Sequence, residues 1–284
     1  MSVKIISSPA EVTQAAKEWK KQGLTIGIVP TMGFLHDGHR SLIHRSCAEN
    51  DRTIVSIFVN PIQFGPNEDL DKYPRDLKAD TAVCEAEGAD IIFHPEPSDM
   101  YGEHFSTHVE VEGITSVLCG RSRPSHFRGV TTVVMKLFNI SHADRAYFGE
   151  KDAQQLAVVK RMAEDLNMDI EIRGCPIVRE PDGLAMSSRN KYLSEQERRD
   201  AVVLSRALNK GKALLDSGER SAAAVIAAIK DEINTVPYAE IDYISVVDSV
   251  TLKDIDGEIK NPILTAIAVK IGNTRLIDNF TYNI

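Results

Sequence analysis

Leu24–Val29 (LTIGIV) runs directly into Pro30–His39 (PTMGFLHDGH), and this stretch decides the fold class. Its first six residues form a compact apolar run that is typical of a buried strand. A glycine-containing turn follows and leads into a helical pattern, so the order is strand, turn, helix. In open α/β sheets, ligands bind outside the carboxyl ends of the strands. The stretch therefore predicts an α/β fold with a candidate binding site at this turn.

The same alternation of apolar strands and amphipathic helices continues as far as Val178. Alternation of this kind implies a mostly parallel sheet with helices on both faces, as in a Rossmann-like domain. The predicted strands are Leu24–Val29, Thr53–Val59, Asp90–Phe93, Arg145–Phe148 and Ile170–Val178, and the predicted helices are Ser41–Asn50, Asp76–Gly88, Thr131–Ile140 and Asp152–Met168.

The pattern changes after residue 180, where two alanine-rich helical stretches precede three apolar strands. Ser194 and Glu197 have the spacing of a capping box, which predicts a helix start. The change predicts a Rossmann-like domain of residues 1–178 and a smaller α+β domain of residues 179–284 that acts as a lid. The predicted helices are Ser194–Ser217 and Ser221–Val236, and the predicted strands are Ile241–Val247, Ile263–Ile271 and Arg275–Phe280.

Composition and charge narrow the classes of function. Hydrophobic residues make up 43% of the chain, which is ordinary for a globular protein. The formal net charge is −8, and this acidic balance disfavours a nucleic-acid partner. No segment approaches the roughly 18 consecutive apolar residues that span a bilayer, and the first residues lack a signal-peptide pattern. The four cysteines form no C-x-x-C pair, which is typical of reduced thiols. We expect a cytoplasmic protein without a membrane partner.

His36 and His39 are the first candidates for chemistry. If the helix has begun at His36, their side chains lie on one face, and Gly38 between them allows a ligand to approach closely. A helix N-terminus offers N–H groups that suit phosphate, and two imidazoles can donate hydrogen bonds as charge builds there. A metal-binding pair and two unrelated surface histidines are the alternatives. A metal would normally need a third ligand, and none is evident at short range.

Three further segments carry candidate ligand groups. Asn60 and Gln63 follow a predicted strand and offer amides for a small polar acid, although an ordinary polar turn has the same sequence. Gly149–Asp152 lies at another strand-to-helix junction, where Lys151 can contact phosphate, although a capped surface turn is the alternative. Met186–Arg189 offers two hydroxyls and a guanidinium that can hold β- and γ-phosphates, although an interdomain loop would look the same.

These segments resemble a known family. His36–His39 has the HxGH form of class I aminoacyl-tRNA synthetases and related nucleotidyltransferases. The surrounding blocks, in family order, resemble pantothenate synthetases, the pantoate–β-alanine ligases. Ala153 and Ser125 depart from the family pattern, which often has an aromatic residue and a glycine there. The matching blocks are PTMGFLHDGH at 30–39, SIFVNPIQF at 56–64, HFRGVTTVVMKLFN at 126–139, FGEKDAQQL at 148–156, AMSSRN at 185–190 and RLIDN at 275–279.

The resemblance implies an ATP-dependent ligase that condenses pantoate with β-alanine through a pantoyl adenylate, releasing AMP and pyrophosphate. It implies ATP and Mg²⁺ as the nucleotide and its metal, without naming a protein ligand for the metal, and it implies a homodimer. His39, His36 and Lys151 are the implied catalytic residues, and Asn60, Gln63 and Gln155 are the implied contacts of the organic substrates. The implied nucleotide site comprises Met32, Gly33, His36, His39, Gly149, Lys151, Asp152, Val178, Met186, Ser187, Ser188 and Arg189.

Other classes remain in competition with this reading. An enzyme that uses the same HxGH chemistry on another acceptor, such as a cytidylyltransferase or an aminoacyl-tRNA synthetase, would share the first motif. A non-catalytic nucleotide sensor would bind ATP without turnover. A Rossmann dehydrogenase is disfavoured because G-x-G-x-x-G does not follow the first predicted strand, and a P-loop pattern is also missing.

Overall fold

A computed structural model describes residues 2–66 and 68–284, and the chain divides into two compact units. The first unit comprises Met1–Glu112, Arg123–Glu150 and Gln155–Pro176. The second comprises Gly113–Ser122, Lys151–Gln154 and Ile177–Ile284. The second unit therefore takes in two short segments from the sequence before residue 178. The predicted assignment of a lid function to residues 179–284 stays a prediction.

The helices and strands alternate in the first half of the chain and separate in the second. Three short 3-10 helices, Pro61–Gln63, Glu150–Asp152 and Ser188–Tyr192, lie within the connections. In chain order the elements are β1 Lys4–Ile6, α1 Pro9–Lys21, β2 Ile26–Thr31, α2 Asp37–Glu49, β3 Arg52–Ile57, α3 Leu77–Glu87, β4 Ile91–Phe93, α4 Pro97–Met100, α5 Cys119–Ser122, α6 His126–Ser141, β5 Arg145–Gly149, α7 Ala153–Asp165, β6 Glu171–Cys175, α8 Glu195–Asp200, α9 Val203–Asp216, α10 Ala222–Ile233, β7 Ala239–Asp248, β8 Ile263–Ile271 and β9 Thr274–Tyr282.

The first unit is built on a six-stranded sheet of order β1-β4-β3-β2-β5-β6, in which every neighbouring pair is parallel. The predicted Rossmann-like parallel sheet is therefore confirmed. After β2 the chain continues to β3 on one side, whereas β5 pairs with β2 on the other side. This reversal makes a switch point between β2 and β5, and open α/β sheets bind ligands in the crevice at such a point. The turn that carries His36 and His39 leaves the carboxyl end of β2 there.

The central strands form the core because they are apolar on both faces. Ile26, Ile28 and Val29 of β2 and Ile54 and Val55 of β3 are almost completely excluded from water. Full burial of one such side chain contributes about 1.5–3 kcal/mol relative to exposure. The core therefore holds the carboxyl ends of β2 and β3 in fixed positions, and the turns after them start from a rigid base.

The second unit has a three-stranded antiparallel sheet of order β7-β8-β9. Side chains of α9 and α10 pack with apolar residues of β8 into one core, so this part of the chain is α+β as predicted. That core includes Leu204, Leu208, Leu215, Val225, Ile229, Ile233, Ile263, Ile267 and Val269.

The structure corrects several predicted elements. The prediction missed β1 and α1, so Leu24–Val29 lies in the second strand of the chain. The predicted helix Ser194–Ser217 is two helices, α8 and α9. The capping box at the start of α8 is confirmed, since Ser194 Oγ accepts from Glu197 N at 3.3 Å and Glu197 Oε2 accepts from Ser194 N at 2.7 Å. Among residues 2–66 and 68–284, no helix combines the length and the apolar character needed to cross a bilayer.

Candidate active site

His36 and His39 form the start of α2. His36 is the N-cap residue, and its Nδ1 accepts a hydrogen bond from Gly38 N at 3.1 Å. His39 occupies the third helical position, and its Nδ1 accepts from His36 N at 3.4 Å. The His36 side chain also meets the backbone of His39, so the helix start has a reciprocal capping box in which imidazoles replace the usual hydroxyl and carboxylate. The ring centroids are 4.1 Å apart, so the two imidazoles are adjacent.

These two bonds fix which ring nitrogen carries the proton. A backbone N–H can only donate, so Nδ1 of each neutral imidazole must be the acceptor and Nε2 must hold the hydrogen. A histidine that binds a metal through Nε2 needs the opposite tautomer, usually with Nδ1–H donating to an oxygen. The geometry of His36 and His39 therefore supports paired hydrogen-bond donors and argues against the metal-pair alternative. The described residues contain no cluster of three or more His, Cys, Asp or Glu side chains suited to a metal ion.

The segment between β2 and α2 is held by Asp80, which the sequence analysis missed. Asp80 Oδ2 accepts from Phe34 N at 2.9 Å and Asp80 Oδ1 accepts from Leu35 N at 2.7 Å. Burial raises the pKa of the Asp80 carboxyl, although these two backbone bonds act in the opposite direction. Gly33 has φ +82°, and a Cβ there would lie 2.9 Å from Asp80 Oδ2 and from Ile57 Cγ2. A glycine is therefore required at position 33 for both reasons.

The turn after β3 buries the amides of Asn60 and Gln63. Asn60 Nδ2 donates to Gln63 Oε1 at 2.9 Å and to the carbonyl oxygen of Gly129 at 3.1 Å. Tyr101 Oη donates to Asn60 Oδ1 at 2.7 Å, and Asn60 as a whole is 1% exposed. Both N–H groups of Asn60 are therefore used within the protein. On the other side, Gln63 Nε2 donates to Met32 Sδ at 3.4 Å, which brings these two predicted site residues together.

Helix α6 supports the backbone of the same turn. His126 Nδ1 lies 2.9 Å from the carbonyl oxygen of Gln63, which can only accept, so His126 donates from Nδ1. A Cβ on Gly129 would lie 2.5 Å from Gln63 Cα and 2.5 Å from the carbonyl oxygen of Ile62. The helix can approach the turn this closely only because residue 129 is glycine. Tyr101, His126 and Gly129 were not among the predicted site residues.

Gly149 and Gln155 are the remaining predicted residues of the first unit. Gly149 ends β5, the strand beside β2, so it lies at the same carboxyl edge of the sheet. A Cβ on Gly149 would meet no atom within 4 Å, so its surroundings are open. Gln155 lies half-exposed on α7. The first unit thus places Met32, Gly33, His36, His39, Asn60, Gln63 and Gly149 on segments at the carboxyl edge of β2, β3 and β5.

In the second unit, β9 anchors the segment that carries Lys151. Asn279 Nδ2 donates to the carbonyl oxygen of Lys151 at 2.8 Å. The Lys151 ammonium lies 3.7 Å from Asp152 Oδ2, and the Lys151 side chain is largely buried. Gln154 fixes the next turn, because its amide bonds to the backbone of Ile114, Val117 and Cys119 at 2.7–2.9 Å.

The same strand anchors the segment from Val178 to Arg189. Asp278 of β9 is buried and accepts from two nitrogens of Arg179, at 2.6 and 2.9 Å. Met186 N donates to the carbonyl oxygen of Val178 at 3.0 Å, which closes a hairpin with Gly183 at its turn. Ser187 then caps the short helix Ser188–Tyr192, since its Oγ accepts from Arg189 N at 3.3 Å. The block RLIDN at 275–279 therefore supports both segments that carry predicted phosphate contacts.

A parallel sheet with paired imidazole donors at its switch point fits the class of α/β nucleotide-binding enzymes that share the HxGH motif. Comparison with known proteins narrows the class, because a family model described as pantoate-beta-alanine ligase matches residues 4–281. The chain belongs to the pantoate–beta-alanine ligase family.

Individual relatives agree with this assignment. The chain is 61% identical over 282 residues to the pantothenate synthetase of Clostridium acetobutylicum, covering 99% of this chain and 100% of that protein. The crystal structure of pantothenate synthetase from Thermus thermophilus has a TM-score of 0.92 at 43% identity, covering 98% of this chain and 99% of that one. A pantoate-beta-alanine ligase from Francisella tularensis, complexed with beta-gamma ATP and beta-alanine, has a TM-score of 0.80 at 35% identity, covering 98% and 97%.

Proposed function

We propose that this protein condenses pantoate with β-alanine at the expense of ATP, through a pantoyl adenylate, and releases AMP and pyrophosphate. The observation that carries the proposal is the turn after β2. There, two adjacent imidazoles have Nδ1 engaged by backbone N–H groups and hold their protons on Nε2. The similarity to pantothenate synthetases over almost the whole chain supports the choice of substrates.

The first step activates the carboxylate. A pantoate carboxylate oxygen attacks the α-phosphorus of ATP, an O–P bond forms, and the bond from the α-phosphorus to the pyrophosphate oxygen breaks. Negative charge builds on the phosphate oxygens during the transfer, and preorganised donors are most effective at such positions. His36 and His39 donate from Nε2, and Lys151 supplies a positive charge. The hydroxyls and guanidinium of Ser187, Ser188 and Arg189 hold the departing pyrophosphate.

The second step forms the amide. The amine of β-alanine attacks the carbonyl carbon of the pantoyl adenylate, a C–N bond forms, the C–O bond to AMP breaks, and the amine loses a proton. A carboxylate is a poor acyl donor because its leaving oxygen is too basic, and attachment to AMP removes that obstacle. The mechanism requires no covalent bond between the substrate and a side chain.

The remaining contacts follow the family resemblance. Gln63 and Gln155 contact pantoate. The implied contact between Asn60 and an organic substrate is not kept, because both N–H groups of Asn60 already donate within the protein. Met32, Gly33, Gly149, Asp152, Val178 and Met186 contact the nucleotide. Mg²⁺ would accompany ATP and would supply positive charge that stabilises its phosphate oxygens, and no side chain of this chain is assigned to hold it. We further propose that the protein acts in the cytoplasm as a homodimer and binds no nucleic acid.

The first test follows pyrophosphate exchange into ATP with protein, Mg²⁺ and pantoate, and then AMP release after β-alanine is added. Exchange should require pantoate and no amine, and repeated AMP release should require both organic substrates. A different hydroxy acid that supported much faster exchange than pantoate would contradict the substrate assignment.

The second test replaces one imidazole. His39→Ala should lower the pantoate-dependent exchange rate by roughly 100-fold or more, because it removes a donor to the transferring phosphate. His44→Ala is the matched control, since His44 lies on the same helix with its side chain 75% exposed and pairs with Glu87. The control should exchange at the wild-type rate. Equal rates for His39→Ala and His44→Ala would exclude the proposed role.

A further inference from the structure

A largely buried chain of hydrogen bonds ends at the amide oxygen of Gln63. It runs from Tyr101 Oη to Asn60 Oδ1 at 2.7 Å, and from Asn60 Nδ2 to Gln63 Oε1 at 2.9 Å. A branch runs from Asn60 Nδ2 to the carbonyl oxygen of Gly129 at 3.1 Å. All four residues belong to the first unit, and the amide of Asn60 joins the branches.

One backbone carbonyl sets the direction of every bond in this chain. The carbonyl oxygen of Gly129 can only accept, so the atom of Asn60 that faces it must be the amide nitrogen. The oxygen of Asn60 therefore faces Tyr101, and the tyrosine hydroxyl must donate. The second N–H of Asn60 points at Gln63, so the atom of Gln63 that receives it must be the amide oxygen. The nitrogen of Gln63 is then directed the other way, toward Met32.

The surroundings of Tyr101 keep its hydroxyl in the donor role. The ring lies 4.9 Å from Phe105 and 6.2 Å from Phe58, measured between ring centroids, and the Lys136 ammonium lies 5.9 Å from the Tyr101 ring. Burial raises the pKa of the Tyr101 hydroxyl above its usual value. The phenol therefore stays protonated at neutral pH and can donate to Asn60.

We infer that Tyr101 and Asn60 are positioning residues that orient the Gln63 amide so that it offers an N–H to an oxygen of the bound acid. The inference rests on the proposed contact between Gln63 and pantoate. One N–H of Gln63 Nε2 meets the sulfur of Met32, which is a weak acceptor, and the other serves the ligand. An N–H selects for carboxylate or hydroxyl oxygens and against a donor at the same place. Asn60 itself does not contact the acid, because both of its N–H groups already have partners.

The test removes only the hydroxyl of Tyr101. Tyr101→Phe keeps the ring contacts but removes the donor to Asn60 Oδ1. Asn60 is then held by the carbonyl of Gly129 alone, so the Gln63 amide is oriented less firmly. In pantoate-dependent pyrophosphate exchange, KM for pantoate should rise roughly three- to tenfold, the range that follows from losing one hydrogen bond. The rate at saturating pantoate and KM for ATP should stay near the wild-type values, because uniform binding of one substrate has been lost.

Tyr147→Phe is the matched control. Tyr147 is another tyrosine of the first unit, and its hydroxyl bonds to Asn50 and Glu49 at 2.8 Å, away from Gln63. Its loss should lower Tm without changing KM for pantoate. A rise in KM for pantoate that is equal in Tyr101→Phe and Tyr147→Phe would overturn the positioning role, since it would follow from general destabilisation.

A double-mutant cycle separates this inference from the proposed function. If Tyr101 acts through Gln63, then Tyr101→Phe should add nothing to the rise in KM for pantoate caused by Gln63→Ala. If the rise in KM for pantoate in the double variant equalled the product of the two single rises, the positioning role would be overturned and the Gln63 contact would stand. An unchanged KM for pantoate in Gln63→Ala alone would overturn the proposed contact itself, and the positioning role with it.

Discussion

In the turn after β2, His36 and His39 accept hydrogen bonds from backbone groups two and three positions away in the sequence. In the turn after β3, Asn60 bonds to residues 41 and 69 positions away, and the carbonyl of Gln63 bonds to a histidine 63 positions away. The cap formed by the two histidines is therefore encoded in one short segment, whereas the second arrangement exists only after distant elements have packed. We expect the two turns to respond differently to substitution.

Gly129→Ala should have the largest effect, because position 129 is where α6 lies closest to the turn after β3. The new Cβ would lie 2.5 Å from backbone atoms of Ile62 and Gln63, which cannot move as a flexible side chain would. We expect a loss of about 1–3 kcal/mol in the free energy of unfolding, measured in urea, and a rise of roughly tenfold or more in KM for pantoate.

Gly102→Ala is the control for this substitution, since a Cβ at position 102 meets no atom within 4 Å. It should leave both quantities near the wild-type values. A Gly129→Ala variant with unchanged KM for pantoate would show that the turn after β3 does not depend on its distance from α6.

Replacements of His36 should separate the local cap from the chemistry. His36→Ser keeps a side-chain acceptor at the N-cap, whereas His36→Ala removes it at a cost of about 1 kcal/mol in the free energy of unfolding. Both variants lose the imidazole donor, so both should lower the pyrophosphate exchange rate by roughly tenfold to 100-fold. If His36→Ser exchanged pyrophosphate at the wild-type rate, His36 would contribute only the helix cap and no donor to the reaction.

Asp80 should give the smallest effect, one that depends on pH. Burial raises the pKa of the Asp80 carboxyl, so the folded chain holds the proton at pH values where the unfolded chain has released it. The resulting stability is fully present below the unfolded pKa of about 4 and is lost as the pH rises through the folded pKa. The free energy of unfolding of the wild type, relative to Asp80→Asn, should therefore fall as the pH rises above about 4. Urea denaturation at several pH values measures this difference, and a constant difference would contradict the shift.

The sequence predicted what depends on local pattern. The buried strands of the parallel sheet, the capping box at Ser194 and the strand Ile263–Ile271 were all recognisable from periodicity or short-range spacing. Strand β1 was missed because it has three residues, of which only Ile6 is buried. Helix α1 was missed because Val12 and Ala16 are its only buried residues. The break between α8 and α9 carries no glycine or proline that would have marked it.

The candidate site divides in the same way. The turn with His36 and His39 was recognisable because its residues follow one another in a motif. Asp80, Tyr101 and Gly129 were not, since each acts on a turn more than 40 positions away and has ordinary neighbours in the sequence. Asp80 lies in the first turn of α3, where acidic residues are common in any helix. Gly129 lies inside α6, where a glycine would be read only as a residue that destabilises the helix. The roles of the contact residues toward ATP and pantoate remain proposals.

The tautomer of the paired histidines has a consequence for inhibitor chemistry. Two histidines three positions apart suggest inhibitors that carry a transition-metal complex or a chelating group with a bound metal. Such inhibitors bind through the lone pairs of the imidazole nitrogens. Here the Nδ1 lone pairs of His36 and His39 receive backbone N–H groups, and Nε2 carries hydrogen. Compounds aimed at this turn should instead carry two oxygen acceptors, for example a sulfonyl or acyl sulfamate, spaced for adjacent rings 4.1 Å apart.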